Sequence, residues 1–258
     1  MFLRLLIPVR IVIALLVATA SGFAQRGGGG QAGPPPAPQA QAPFDIAGTW
    51  VPLITEDWRN RMVTPPKGDY ESVPISAAGR KLADAWDPAK DEAAGQQCKS
   101  YGAPSIMRLA GRIRLSWENP TTLKIETEAG TQTRRLVFGN PAAAQPAQLS
   151  SPSIQGRSVA NWENLAGGRG GQPRTGTLKV VTTNLLPGYL RKNGVPYSAN
   201  AIVTEWYDMI TLPGNEPLLV VNTEVTDPEN LSQPFLTSTH FKKLPANATF
   251  TPEPCTAR

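Results

Sequence analysis

The residues able to do chemistry are few. The chain has 258 residues with one histidine, His240, and two cysteines, Cys98 and Cys255. General acid–base catalysis needs a poised imidazole or a pair of carboxylates in a dry pocket. His240 sits in an alternating run in which Phe235, Thr237, Thr239 and Phe241 face one way and Ser238, His240 and Lys242 the other. Glu205, Asp208 and Glu224 lie on runs that can neighbour it, and Glu224 with His240 is the best available dyad on face parity. No serine stands in a Gly-x-Ser-x-Gly elbow, and the glycines Gly167, Gly168, Gly170 and Gly171 lack the Gly-Lys-Ser/Thr ending that grips phosphate. With a single histidine and no Cys-x-x-Cys, a tetrahedral zinc site has no ligand set. We therefore expect neither metal nor cofactor, and an enzyme is not the first expectation.

The cysteines take their meaning from the start of the chain. Arg4 and Arg10 give a basic opening, Ile11 to Ala18 an apolar middle, and Gly22-Phe23-Ala24 small residues at −3 and −1. These are the parts of an export signal. Residues 1–24 are expected to be removed after Ala24, with Ala18-Thr19-Ala20 as a second exit. The apolar run is shorter than the roughly 20 residues that span a bilayer, and no cysteine follows it to carry a lipid. The expected location is secreted or periplasmic, with no membrane span after cleavage. In that oxidising space an even pair reads as a Cys98–Cys255 disulfide, against two free thiols. Losing Arg4 and Arg10 lowers the formal charge from +5 to +3, and no basic run with interleaved aromatics remains to suggest nucleic acid.

The elements that must position these residues follow from periodicity. Residues 25–43, four glycines and then Pro34-Pro35-Pro36-Ala37-Pro38, read as a flexible linker before a single domain at 44–258. Residues 54–111 read as an irregular excursion with one short helix near 77–86, capped by Ser76 and stopped by Asp87-Pro88, with Leu82 and Trp86 sharing a buried face. From residue 112 the period becomes two. Ile113, Leu115 and Trp117 alternate with Arg112, Arg114 and Ser116; Leu123, Ile125 and Thr127 alternate with Lys124, Glu126 and Glu128. A third strand begins at Arg134, which with Arg112, Arg114 and the acids is assigned to the wet face. Further strands are expected near 154–163, 176–185, 200–212, 217–226 and 234–243, with a first near Ile46 to Leu53. The fold class is mostly β. An antiparallel up-and-down meander of about 8–10 strands closes into a barrel, with a sandwich as the alternative.

Two resemblances add to this. Gly48-Thr49-Trp50 resembles the opening of the lipocalin-like barrels, which implies a closed barrel around a small apolar ligand, with Trp50 plugging one end. Over most of the chain from Ile46, Cys98, Gly102-x-Pro104-x-x-Met107, Asn161-Trp162-Glu163, Thr177 to Asn184, Leu190-Arg191-Lys192-Asn193-Gly194-x-Pro196-x-Ser198 and Thr226-Asp227-Pro228 resemble a large group of uncharacterised bacterial secreted proteins. The chain departs from that group at Gly176 and Val181, where acids are usual, and at Tyr197, where a histidine is usual. If those residues carry the group's chemistry, this chain lacks it. The expected function is therefore an exported soluble barrel that binds a small hydrophobic molecule. Its candidate ligand contacts are Trp117, Trp206, Tyr207 and Met209 inside the barrel, with Tyr189 and Tyr197 projecting from the loop 186–200 at one rim. A barrel enzyme of isomerase or cyclase type and an envelope protein with a filled core are the alternatives.

Overall fold

In a computed structural model, residues 34–139, 151–168 and 174–258 are described. The expected signal peptide, the glycine half of the linker and part of the insertion after Trp162 lie outside the described residues. Alternation becomes β1 (Gly48–Pro52), β2 (Ile113–Asn119), β3 (Thr122–Thr127), β4 (Thr133–Phe138), β5 (Arg157–Ala166) and β6 (Thr175–Thr183). A small ribbon of β7 (Gly188–Tyr189) and β8 (Pro196–Tyr197) intervenes before β9 (Ile202–Leu212), β10 (Glu216–Thr226) and β11 (Phe235–Lys243). Nine strands close a barrel in the order β1-β11-β10-β9-β6-β5-β4-β3-β2, and β7-β8 stands apart.

Closure corrects one detail of the meander. Strand direction cannot alternate all the way around a ring of odd number, so at least one neighbouring pair must be parallel. That pair is β4–β5, matched only at Leu136↔Ser158, Val137↔Val159 and Phe138↔Ala160, while the other barrel pairs are antiparallel. The chain after β4 must therefore return to the end it came from before β5 begins.

Inward residues from each of the nine barrel strands pack into one core, which includes Trp50, Leu123, Ile125, Leu136, Leu178, Tyr207 and Phe241. Each large apolar side chain taken from water contributes about 1.5–3 kcal/mol, so this wall-to-wall packing supplies the main driving force. Trp50 is buried and donates its indole N–H to the Ile46 carbonyl at 3.0 Å. One barrel end is closed by a row of rings, Trp117–Phe138–Trp162–Phe44, with centroids 5.5–5.6 Å apart. Here the linker departs from expectation: Pro38–Gln41 forms a helical turn whose Pro38 carbonyl accepts from the Trp162 indole at 2.8 Å. The excursion 54–111 closes the other end, inserting Tyr101, Ile106 and Met107 beneath the core.

The expected wet position of Arg134 is overturned. Leu136 and Phe138 face inward, so parity carries Arg134 inward too, and its side chain is 1% exposed against 0% for Glu205. Arg134 Nη1 and Nη2 donate to Glu205 Oε1 and Oε2 at 3.0 and 2.6 Å, and the Tyr207 hydroxyl adds a third bond to Glu205 at 3.2 Å. Burial opposes the Arg134 charge, but the Glu205 carboxylate outweighs it and raises the guanidinium pKa. Arg135, the next residue, points outward to Glu118 at 2.8 Å.

Cys98 and Cys255 form a disulfide 157 residues apart in sequence. The tail it holds is also pinned by Glu253 N to the Glu128 carbonyl at 2.8 Å and Thr256 N to the Tyr101 hydroxyl at 3.1 Å.

Two outcomes follow for urea unfolding. Glu205→Leu alone should cost about 3–5 kcal/mol by stranding Arg134, and adding Arg134→Met should restore most of it, because two well-packed apolar groups replace a desolvated pair; simply additive losses would refute the coupling. Cys98→Ala with Cys255→Ala should cost up to about 5 kcal/mol, through the larger entropy of the unfolded chain.

Candidate ligand cleft beneath the barrel

Below the floor of the barrel lies a second core, in which Ala83, Leu185, Leu190, Val195, Tyr197, Leu231 and Phe235 pack together. Ala83 of one short helix, the loop 186–200 and the lower ends of β9, β10 and β11 build it, and a second short helix follows the first. The first, Ala77–Ala85, begins as expected at Ser76, whose hydroxyl accepts from Gly79 N at 3.0 Å. Its buried face is Gly79 and Ala83, pressed on the Asn230 backbone; Leu82 is 56% exposed and does not share the burial of Trp86. Asp87-Pro88 ends this helix and also starts another, Pro88–Ala93, with the Asp87 carboxylate accepting from Ala89 N at 3.1 Å.

The expected rim loop is folded inward. Arg191, Asn193 and Tyr197 are buried. The Tyr197 hydroxyl lies against Gly102 and Gly188, where a Cβ would strike it, and burial pushes its phenol pKa up. At Gly194 the chain turns with φ +86°, and a Cβ there would run into the Trp86 ring.

Between these elements opens a cleft of about 490 Å³. Trp86, Tyr189, Tyr197, Pro187, Pro196 and Leu82 supply its apolar walls; Lys99, Asp91, Ser198 and Asn230 supply polar groups. Trp86 and Tyr189 meet edge to face with centroids 6.2 Å apart. Both are fixed by the buried Asp91 carboxylate, which accepts from the Trp86 indole at 3.2 Å, the Tyr189 hydroxyl at 2.8 Å and the Lys99 ammonium at 2.8 Å. Burial, with Asp91 alongside, raises the Tyr189 phenol pKa. The ammonium of Lys99 also lies 5.5 Å from the Tyr189 ring centre. Opposite, Asp227 accepts from Ser198 N at 2.7 Å, Ser198 Oγ at 2.8 Å and Asn230 Nδ2 at 3.1 Å, which locks the loop to the turn after β10.

The sequence-predicted site residues are scattered. Tyr189 and Tyr197 line this cleft. Tyr207 is inside the barrel on Glu205, and Trp117 and Met209 pack, half-buried, against the barrel core. Trp206 is on the outer wall, 6.0 Å from Lys179, because adjacent strand residues cannot both face inward. The Glu224–His240 dyad does not form. His240 stands opposite Val220, four residues from Glu224 along β10, about 13 Å at strand rise. On the outer wall its Nδ1 meets Glu56 Oε2 at 2.8 Å. Trp86, Asp91 and Lys99 were not singled out as ligand contacts by the sequence. The only signal was a tryptophan beside a helix stop, since their meeting with Tyr189 depends on chain folding across 98 residues.

Gly176, Val181 and Tyr197 do not share a site: Gly176 abuts Pro43 beside the linker, Val181 pairs with Val159 and Thr204 in the barrel wall, and Tyr197 is in the lower core. Comparison with family models, curated proteins and solved structures finds no significant match. Among the described residues, no group of three His, Cys, Asp or Glu comes together in a way that could hold a metal ion. Ser198 has a carboxylate partner, while the chain's one histidine is engaged on the barrel wall. The cleft thus presents aromatic faces together with hydrogen-bonding groups.

Gly194→Ala should destabilise the protein by about 1–3 kcal/mol, from the left-handed backbone alone. It should also alter Trp86 emission as the ring is pushed into the cleft; unchanged stability and emission in thermal and fluorescence scans would contradict this geometry.

Proposed function

We propose that this protein is an exported binding module that holds a small, largely apolar, ring-bearing molecule in the cleft beneath the barrel. The observation that carries the reading is the pair of aromatic walls, Trp86 and Tyr189, held in place by one buried carboxylate at the edge of a cavity of about 490 Å³. That volume is in the range of about 300–1,000 Å³ typical of small-molecule sites, and an apolar lining with a few convergent polar groups is their usual composition. The likeness to lipocalin-like barrels suggested by Gly48-Thr49-Trp50 supports a ligand within the lumen, but the lumen is occupied by Tyr207, Phe241 and the Arg134–Glu205 pair. The cleft is therefore the better seat. Export is supported by the basic and apolar start of the chain and by the disulfide. The outer barrel wall carries Lys124–Glu126, Arg135–Glu118 and Lys179–Glu163 ion pairs and the inner wall carries hydrocarbon, the reverse of a barrel bathed in lipid. The filled lumen also favours the second reading, a structural protein of the envelope.

Titration with the apolar fluorophore N-phenyl-1-naphthylamine separates the two. Saturable binding is expected, weakened at least about tenfold, or about 1.4 kcal/mol, by Ala199→Trp, which fills the cleft from an exposed position, and unchanged by Trp206→Ala on the outer wall. No binding, or equal binding by the Ala199→Trp variant, would leave the structural reading in its place.

A further inference from the structure

Three arginines converge at one side of the lower core. Arg61 comes from the helical turn Trp58–Arg61, Arg108 from just beyond the turn Ala103–Ile106, and Arg191 from the loop between β7 and β8. Arg61 is 9% exposed and Arg191 5%. Arg108 and Arg191 both lie against the Phe235 ring, 6.0 and 5.9 Å from its centre. With Asn60, Ser105 and Leu190 they surround a cavity of about 30 Å³.

Their hydrogen bonds are only partly met, and mostly by neutral groups. Arg61 donates Nε to the Arg108 carbonyl at 3.1 Å and Nη1 to the Leu53 carbonyl at 3.2 Å. Arg191 donates Nη1 to the Glu71 carbonyl at 2.8 Å and Nη2 to Ser72 Oγ at 2.9 Å. Arg61 Nη2 and Arg191 Nε remain buried without a hydrogen-bond partner. Among the described residues, the one carboxylate in direct contact with the group is Asp57, which accepts from Arg108 Nη2 at 2.6 Å. The nearby acids are engaged outside it: Glu56 with His240, and Asp69 and Glu71 with the exposed Arg59. Lys192 also lines the cavity, and Glu56, Asp69 and Glu71 act on Arg61 and Arg191 only through space, so among the described residues neither of these two guanidiniums has a carboxylate bonded to it.

Burial and the Arg108 charge pull the pKa of both Arg61 and Arg191 down to about 10, which still leaves both charged at neutral pH. Losing a proton therefore does not relieve the site, whereas a bound anion would place negative charge beside Arg61 and Arg191 and supply acceptors for their free N–H groups.

We infer that the Arg61–Arg108–Arg191 cavity is a binding site for one small monoanion of the chloride or formate class. Arg61 and Arg191 are buried, and a halide or small carboxylate loses far less hydration on entering such a site than doubly charged sulfate or phosphate does. Leu190 and Arg191, which line this cavity, directly follow Tyr189 in the chain, so an anion that orders Arg191 also stiffens the segment that carries one wall of the ligand cleft.

The test is thermal unfolding of the full chain in sodium chloride, formate or sulfate at matched ionic strength. Chloride and formate should raise Tm saturably above sulfate. Arg191→Gln should abolish that difference, and Arg59→Gln, an exposed neighbour, should keep it. Equal responses to all three salts, a larger gain with sulfate, or a chloride response that survives in the Arg191→Gln variant would overturn the assignment. Should that variant not fold, chloride-35 NMR of the unaltered protein decides: line broadening reversed by formate supports the site, and its absence refutes it.

Discussion

An ion pair sealed inside a barrel has to be satisfied where it stands, and Arg134 with Glu205 imposes that demand on the whole ring. Arg134 is on β4, which borders the parallel seam, and Glu205 is on β9, which is not a neighbour of β4 in the ring. The seam has only three matched positions, so its ladder is the shortest part of the closure together with β1. The bidentate bond crosses the interior and joins β4 to the far wall without using that ladder. A slip of one residue in either strand would turn a charge out to solvent and leave its partner buried alone, at a cost of several kcal/mol. The pair is thus better understood as fixing register than as adding stability.

What surrounds the barrel answers to its two ends. One is shut by a row of aromatic rings on which the helical turn Pro38–Gln41 rests. The other is shut by residues 54–111 and 186–200, and the disulfide ties the tail to that same end. The excursion and the loop 186–200 pack on the lower ends of β9, β10 and β11 to make a second core, and both cavities of interest lie within this lower layer, lined by its own short elements rather than by barrel strands.

The barrel was largely legible in the sequence because period-two alternation is a local property. Leu178, Val180 and Thr182, or Leu219, Val221 and Thr223, declare their face without reference to any other strand, and the expected strand spans match those of β6, β9, β10 and β11 closely. Arg134 was misread for an equally physical reason. Its parity pointed inward and its charge outward, and only the presence of Glu205, 71 residues away, makes the inward choice affordable. The helix at Ala77 was legible from Ser76; the second, at Pro88, was hidden because Asp87-Pro88 is as good a start as a stop.

The sequence by itself determined which residues alternate, where the turns fall, and, through a start that reads as an export signal and an even cysteine count, the expectation of a Cys98–Cys255 bridge. Each of these depends on neighbours in the chain or on composition. Tertiary structure alone decided the parallel seam, the filling of the lumen, the engagement of His240 by Glu56 rather than Glu224, and the meeting of Trp86, Asp91, Lys99 and Tyr189 in one cleft. These depend on which distant segments share a surface, and no local pattern encodes that choice.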